Sequence, residues 1–281
     1  MKYLVLGSKG QLGKEFVKYF TKVEAEYKAF DIDEIDISNR DMVFQLCQSF
    51  KPNVIINCAA YNLVDNAETN PDEAYKSNSK GVENLAIISN ETGSNLVHYS
   101  TDYVFDGKKE TGLYTEQDEP NPLSVYAKSK YDGEMKIKEN TDNYLILRLS
   151  WVFGDGQQNF IYKLLQWAEK NNILKIAFDE VSVPTYTHTI VEATLKALSN
   201  QLKGLYHLTN SGYASRYEWA KYIIKKLNKK NILYPVSKDI FNLPAKRPGF
   251  SAMSNELLSN TIKIEIPFWE KAVDDYLSKY L

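Results

Sequence analysis

Apolar residues recur along this chain in short runs and at helical spacings, and the two patterns alternate. Tyr3–Leu6 is an apolar run of the kind that forms a buried parallel strand. Leu12, Phe16 and Phe20 then recur every fourth residue, which predicts a helix with one apolar stripe. Tyr27–Phe30 reads as a second strand ending at Asp31. Asp41 is the expected cap of a helix that turns Val43, Leu46, Cys47 and Phe50 inward. Val54–Ile56 is a third strand, followed by a helix with Val82, Leu85 and Ala86 on its inner face. Asn95–Tyr99 is a fourth strand, Ser124–Glu139 a helix and Tyr144–Leu149 a fifth strand. Strands and helices in strict alternation fold as a parallel, doubly wound α/β sheet.

The second half is less regular and carries Pro184, Pro235, Pro244, Pro248 and Pro267. Helices are expected around Phe160–Ala168 and Ile190–Leu198, a strand at Gly204–Leu208, and a helix behind the capping box Ser215/Glu218. Phe268, Ala272, Val273 and Tyr276 mark a C-terminal helix. The expected division is a first domain at residues 1–150 and a smaller α/β lobe at 151–281, with a helix near 187–200 packing back on the first.

Charge and composition narrow the function. The net charge of −2 gives no basic field for nucleic acid. The apolar runs are too short to span a bilayer, and Asn57 interrupts the run at Val54-Ile55-Ile56. Cys47 and Cys58 form no disulfide framework, and no cluster has metal-ligand spacing. A reducing, cytoplasmic setting with neither membrane nor nucleic acid is the expectation.

The candidate chemistry lies at the carboxyl ends of the strands. Gly7-Ser8-Lys9-Gly10-Gln11-Leu12-Gly13 sits between strand and helix, where glycines admit a pyrophosphate and the helix N-terminus supplies N–H donors. Asp31 stands where a carboxylate holds an adenosine ribose. Asn57-Cys58-Ala59-Ala60-Tyr61 leaves room for a flat ligand, and Ser100-Thr101-Asp102 offers hydroxyls and a carboxylate. Asn78 is placed to anchor backbone or ligand. Tyr126 and Lys130 are four residues apart on one helix, so phenol and ammonium share a face. A nearby cation lowers a phenol's pKa and suits it to proton transfer. By itself this pair is a common spacing in a chain rich in both residues. Trp151, just past a strand end, offers a flat face and an N–H donor where such a sheet places its ligands. His98, His188 and His207 are scattered and read as structural.

These motifs, together with His98-Tyr99-Ser100-Thr101-Asp102-Tyr103-Val104-Phe105 and Arg148-Leu149-Ser150-Trp151-Val152, resemble the extended short-chain dehydrogenase/reductase superfamily. Within it, the chain is similar to the dTDP-4-dehydrorhamnose reductase family. The likeness continues through Val183-Pro184-Thr185 and Arg247-Pro248-Gly249 to Pro267-x-Trp269. It implies a Rossmann-like sheet and NAD(P)H-dependent reduction of the 4-keto group of a nucleotide-linked 6-deoxysugar. By the resemblance, Tyr126 is the general acid. Lys130 binds the nicotinamide ribose and lowers the phenol pKa, and Thr101 completes the triad. Gly7 belongs to the cofactor turn, with Gly10, Gln11 and Leu12 on the pyrophosphate. Asp31 faces the adenosine ribose, and Asp36 and Ile37 the adenine. Ala60, Tyr61, Asn62 and Tyr99 line the cofactor. Thr101, Asp102 and Trp151 line the sugar nucleotide, with Arg247 for its diphosphate. The partner is a nucleotide sugar, and a homodimer stays open. Asp31 favours NADH, whereas Lys9 or Arg40 can reach toward the 2′-phosphate of NADPH, so use of both cofactors is expected. Two positions depart from the family's Asp-Gln-x-Gly-x-Pro-Thr segment: Glu180 replaces Gln and Ser182 replaces Gly. They keep open a sister 4-ketosugar reductase or epimerase. A non-catalytic nucleotide-binding subunit of the same fold is a further alternative, against which the intact Thr101, Tyr126 and Lys130 argue.

Overall fold

The computed structural model describes residues 1–280. The first half alternates as the pattern predicts: β1 (Tyr3–Leu6), α1 (Gln11–Lys22), β2 (Tyr27–Phe30), α2 (Arg40–Phe50) and β3 (Val54–Asn57). Two short helices, α3 (Val64–Thr69) and α4 (Pro71–Tyr75), lead through a π-helical turn at Lys76–Lys80 into α5 (Gly81–Thr92). Then come β4 (Asn95–Thr101), α6 (Val125–Asn140) and β5 (Tyr144–Leu149). The cap of α2 differs from the expectation. Asn39, not Asp41, accepts the Met42 N–H at 3.2 Å, which moves Asp41 into the first turn, where its charge suits the helix dipole.

The second half contributes β6 (Val152–Phe153), α7 (Phe160–Lys170), β7 (Ile173–Ala177), β8 (Val181–Ser182) and β9 (Thr185–Tyr186). It continues with α8 (Thr187–Ser199), β10 (Gly204–His207), β11 (Ala214–Ser215), α9 (Arg216–Lys226), β12 (Ile232–Val236), α10 (Glu256–Ile262) and α11 (Trp269–Leu277). Ser215 and Glu218 form the reciprocal capping box that starts α9.

The main sheet has six strands in the order β10-β5-β4-β3-β1-β2, all parallel. The strand order reverses between β1 and β3, and a doubly wound sheet opens its ligand crevice there, outside the carboxyl ends. Both faces are covered. On one, Phe16 and Phe20 of α1 pack with Ile190, Val191, Ala193 and Ala197 of α8 over Val5, Val97 and Leu147. On the other, Val43 and Cys47 of α2, Leu85 and Ile88 of α5 and Ile137 of α6 cover Leu4, Ile55, Leu96 and Ile146. Cys47 is packing. The chain thus returns to the sheet late, and Gly204–His207 pairs in register with Leu145–Arg148. A separate core gathers around Trp219, with Phe153, Ile161, Leu164, Trp269 and Tyr276.

One buried ion pair ties α6 to β5. Glu134 accepts from Arg148 Nε at 2.9 Å and from Nη2 at 2.7 Å, in the bidentate geometry that satisfies both partners. Among the described residues, no helix is long and apolar enough to cross a membrane, and no cluster of His, Cys, Asp and Glu is arranged to hold a metal.

Candidate active site

The turn after β1 depends on its glycines. Gly7 has a φ of +80°, and a Cβ there would lie 2.5 Å from the Ala59 nitrogen. A Cβ on Gly13 would collide with the Gly7 carbonyl. At Gly10 a Cβ would meet only the Gly7 oxygen, at 3.4 Å, so this backbone is open to the crevice. Gly10 caps α1 without a side chain, which leaves the first N–H groups of a twelve-residue helix free for an anion. Gln11 places a buried Oε1 here with no protein partner. At the end of β2, the Asp31 carboxylate accepts the N–H groups of Lys9 at 2.6 Å and Ile32 at 2.9 Å. Lys9 itself bonds Asp33 at 2.5 Å. Gly7, Gly10, Gln11, Asp31, Asp36, Ile37, Ala60, Tyr61 and Asn62 all line one cleft of about 740 Å³. The donor-rich turn and the carboxylate at the end of β2 fit a dinucleotide.

A second cleft opens from the first, and Gly10, Gln11, Ala60 and Asn62 line both. Leu12, Tyr99, Thr101, Asp102, Tyr126, Lys130 and Trp151 line it further along. Burial raises the Tyr126 phenol above its ordinary range, with Asp102 and Tyr103 adding to the effect, and a hydrogen bond from Thr101 pulls it back. Lys130 is turned toward the Tyr99 carbonyl, 2.6 Å away. Burial brings its ammonium down to a pKa of about 8, against the opposing influence of Glu134 and Cys58. The expected lowering of the phenol pKa by Lys130 is therefore not seen. Four-residue spacing puts both side chains on one face, but the longer one reaches past to a carbonyl acceptor at a strand end. Asp102 is buried, and it accepts from Ser182 at 2.8 Å, Ser251 at 2.5 Å and Thr101 at 3.3 Å. Burial nevertheless lifts its pKa to about 6.

Trp151 holds a left-handed backbone, φ +38°, which is uncommon for a bulky residue and marks a constrained position. Its ring stacks on Trp219, and the Arg216 guanidinium lies 3.6 Å from its centroid. Asn78 anchors backbone: its carboxamide bonds both the N–H and the C=O of Tyr61, at 2.8 and 3.1 Å. Arg247 lines neither cleft. It is clamped by Asp65 through contacts of 3.0 and 2.7 Å.

The profile of the RmlD substrate binding domain family matches residues 1–281. The chain belongs to this family. A dTDP-4-dehydrorhamnose reductase from Aggregatibacter actinomycetemcomitans is 36% identical, with 96% of each chain covered. The crystal structure of a dTDP-4-dehydrorhamnose reductase from Clostridium acetobutylicum superposes with a TM-score of 0.96 at 35% identity, covering 100% of this chain and 99% of that one. Another from Bacillus anthracis, solved in complex with NADP, gives 0.95 at 34% identity and covers 99% of both chains.

Against the RmlD family pattern, the two departures have visible partners. Ser182 donates to Asp102, and Glu180 lies 3.6 Å from Arg216, the guanidinium that covers Trp151. Sequence reasoning missed Arg216 because an N1 position behind a capping box carries no chemical signature. It also missed Lys163, a cation of α7 on the wall of the second cleft, and Gln157 and Gln158, which line both clefts. For Lys163 the available signal was a charge beside the apolar stripe of a helix that follows a ligand-bearing strand end. Cys58 is half-buried on the wall of both clefts, and desolvation pushes its thiol far up, which argues against a nucleophile there.

Proposed function

We propose that this RmlD-family protein reduces the 4-keto group of a nucleotide-linked 6-deoxysugar, with dTDP-4-dehydrorhamnose as substrate, using NADPH or NADH. The observation that carries the reading is the meeting of Thr101, Tyr126 and Lys130 on the wall of a cleft continuous with the glycine turn. When bound, the reduced nicotinamide supplies the hydride. Tyr126 gives its phenolic proton to the forming alkoxide, and its raised pKa keeps that proton in place at neutral pH. Thr101, beside the phenol, moderates the rise of its pKa and helps to fix its direction. Gly10, Gln11 and Leu12 hold the pyrophosphate, Asp31 the adenosine ribose and Lys130 the nicotinamide side. Asp102 and Trp151 bound the sugar. Lys163 lines the cleft directly and is assigned to the diphosphate ahead of Arg247, which Asp65 already engages.

In this reading residues 1–150, joined by α8 and β10, hold the dinucleotide, and the rest of 151–281 closes over the sugar nucleotide. The free thiols of Cys47 and Cys58 accord with the cytoplasm. Light scattering checks the homodimer.

The test is a panel of nucleotide-4-ketosugars assayed for consumption of NADPH and of NADH. Turnover is expected with dTDP-4-dehydrorhamnose. Faster turnover on a different 4-ketosugar would move the assignment to a sister reductase, the reading that Glu180 and Ser182 favour. A folded protein that binds NADPH and consumes none with any member of the panel would refute the reductase.

A further inference from the structure

His98 lies behind the second cleft and Asn57 on its wall; both are buried and take no part in the steps above. Their hydrogen bonds fix how they are protonated. The Ala59 N–H donates to Asn57 Oδ1 at 3.1 Å, which sets the orientation of that carboxamide. Asn57 Nδ2 therefore faces His98 Nδ1, at 3.1 Å, as a donor. Nδ1 must accept. Burial, with the charge of Lys130 adding, pushes the imidazole pKa well below its ordinary value, so the ring is neutral. A neutral ring that accepts at Nδ1 carries its proton on Nε2. That Nε2 lies 3.5 Å from Lys130 Nζ, while Nζ donates to the Tyr99 carbonyl at 2.6 Å.

An N–H aimed at an ammonium sets donor against donor. The same N–H aimed at a neutral amine meets a lone pair. We infer that His98, oriented by Asn57, is a positioning residue that sets its Nε2–H toward Lys130 beside the Tyr99 carbonyl and eases the loss of the lysine's proton. The use of that property rests on the reductase reading; the contact does not.

The other groups around Lys130 leave this influence room to act. Glu134, one turn along α6, favours the ammonium, but Arg148 of β5 engages both its oxygens. Cys58, beyond the end of β3, faces Lys130 with a thiol that burial keeps neutral. Tyr126, on the same helix, is held neutral by burial, and the Tyr99 phenol is occupied by Thr194 at 3.0 Å. A lysine with a pKa of about 8 carries its proton at neutral pH and releases it readily. In the reductase reading that readily released proton stands on the wall of the same cleft as the Tyr126 phenol.

The test needs no substrate. In full-length protein labelled with ¹³C at lysine Cε, the Lys130 resonance, assigned with Lys130→Met, is titrated by NMR. His98→Asn is the decisive variant. Its Oδ1 takes the place of Nδ1 and still accepts from Asn57, but nothing replaces Nε2–H. The Lys130 midpoint should rise by roughly half a pH unit or more, because the neutral amine has lost its donor. A midpoint within about 0.2 of wild type in folded variant protein would reduce His98 to a packing residue and overturn the inference. If His98→Asn does not fold, the imidazole ¹⁵N shifts of the wild type decide. The Nε2–H tautomer is expected, and an Nδ1–H tautomer or a charged ring overturns the assignment. Both measurements are made on ligand-free protein, so they stand or fall independently of the sugar panel.

Discussion

Asp102→Asn should make this protein more stable at neutral pH. Asp102 is buried, and its pKa is raised from 3.8 to about 6, chiefly by burial, against the pull of Ser251, Ser182, Arg216 and Thr101. Below 3.8 the carboxyl is protonated in both folded and unfolded chains and contributes nothing to the difference in proton uptake. Between 3.8 and about 6 the folded chain holds a proton that the unfolded chain has lost, so stability falls as pH rises through this window. Above it the slope is flat, and the fold carries a buried carboxylate. At ~1.4 kcal/mol per pH unit, the interval from 3.8 to about 6 amounts to about 3 kcal/mol. Asparagine has the same shape without the charge. The Ser182 and Ser251 hydroxyls can donate to its Oδ1 or accept from its Nδ2. Loss of the charge-assisted bonds offsets part of the gain, leaving about 1–3 kcal/mol at pH 7. The assay is urea unfolding of both proteins from pH 4 to pH 8. The wild type should lose stability relative to the variant up to about pH 6 and run parallel to it beyond. A variant less stable than wild type at pH 7, or parallel curves across the whole range, would show that the serine hydroxyls fully compensate the carboxylate.

Tyr126→Phe keeps the shape of the site and removes the proton; kcat should fall roughly 10²-fold or more with NADPH binding retained, and near-normal turnover would remove Tyr126 from the chemistry. Trp151→Ala should raise the sugar-nucleotide KM far more than the cofactor KM. It should also lower Tm, because the ring stacks on Trp219 and carries Arg216; an unstable but kinetically normal variant would leave Trp151 as packing. For cofactor choice, Lys9→Ala should reduce kcat/KM with NADPH alone and Asp31→Ala mainly with NADH. A wild-type preference above roughly 10²-fold, about 2.7 kcal/mol, would contradict dual use.

The strand–helix alternation of the first half was legible because each element announces itself within its own residues: the apolar run at Val54–Ile56, the four-residue stripe of Leu12, Phe16 and Phe20. The glycine turn was legible for the same reason, since backbone approach and helix start are local. What stayed hidden depends on distant partners. Gly204–Leu208 reads as a strand, but nothing in it says that it pairs with Leu145–Arg148. Two of the three hydroxyls on Asp102 come from positions 80 and 149 residues along the chain. His98 looked like one histidine among three, because only the fold brings Asn57 and Lys130 to opposite sides of its ring. Lys130 was found but misdirected, since helical spacing fixes a face and leaves open where a flexible four-carbon stem ends.

The late return of β10 to the sheet has a consequence for the nascent chain. When residue 150 has been synthesised, β5 is an open edge of buried-type residues, Leu145, Ile146 and Leu147, and the α1 face still lacks the apolar cover of α8. Neither deficit closes until about residue 207 has left the ribosome. A fragment that stops near 150 is therefore an aggregation-prone intermediate and not a free-standing dinucleotide module. A chain cut just after β10 closes the sheet edge but still lacks Leu258 and Ile262 of α10 from the same core.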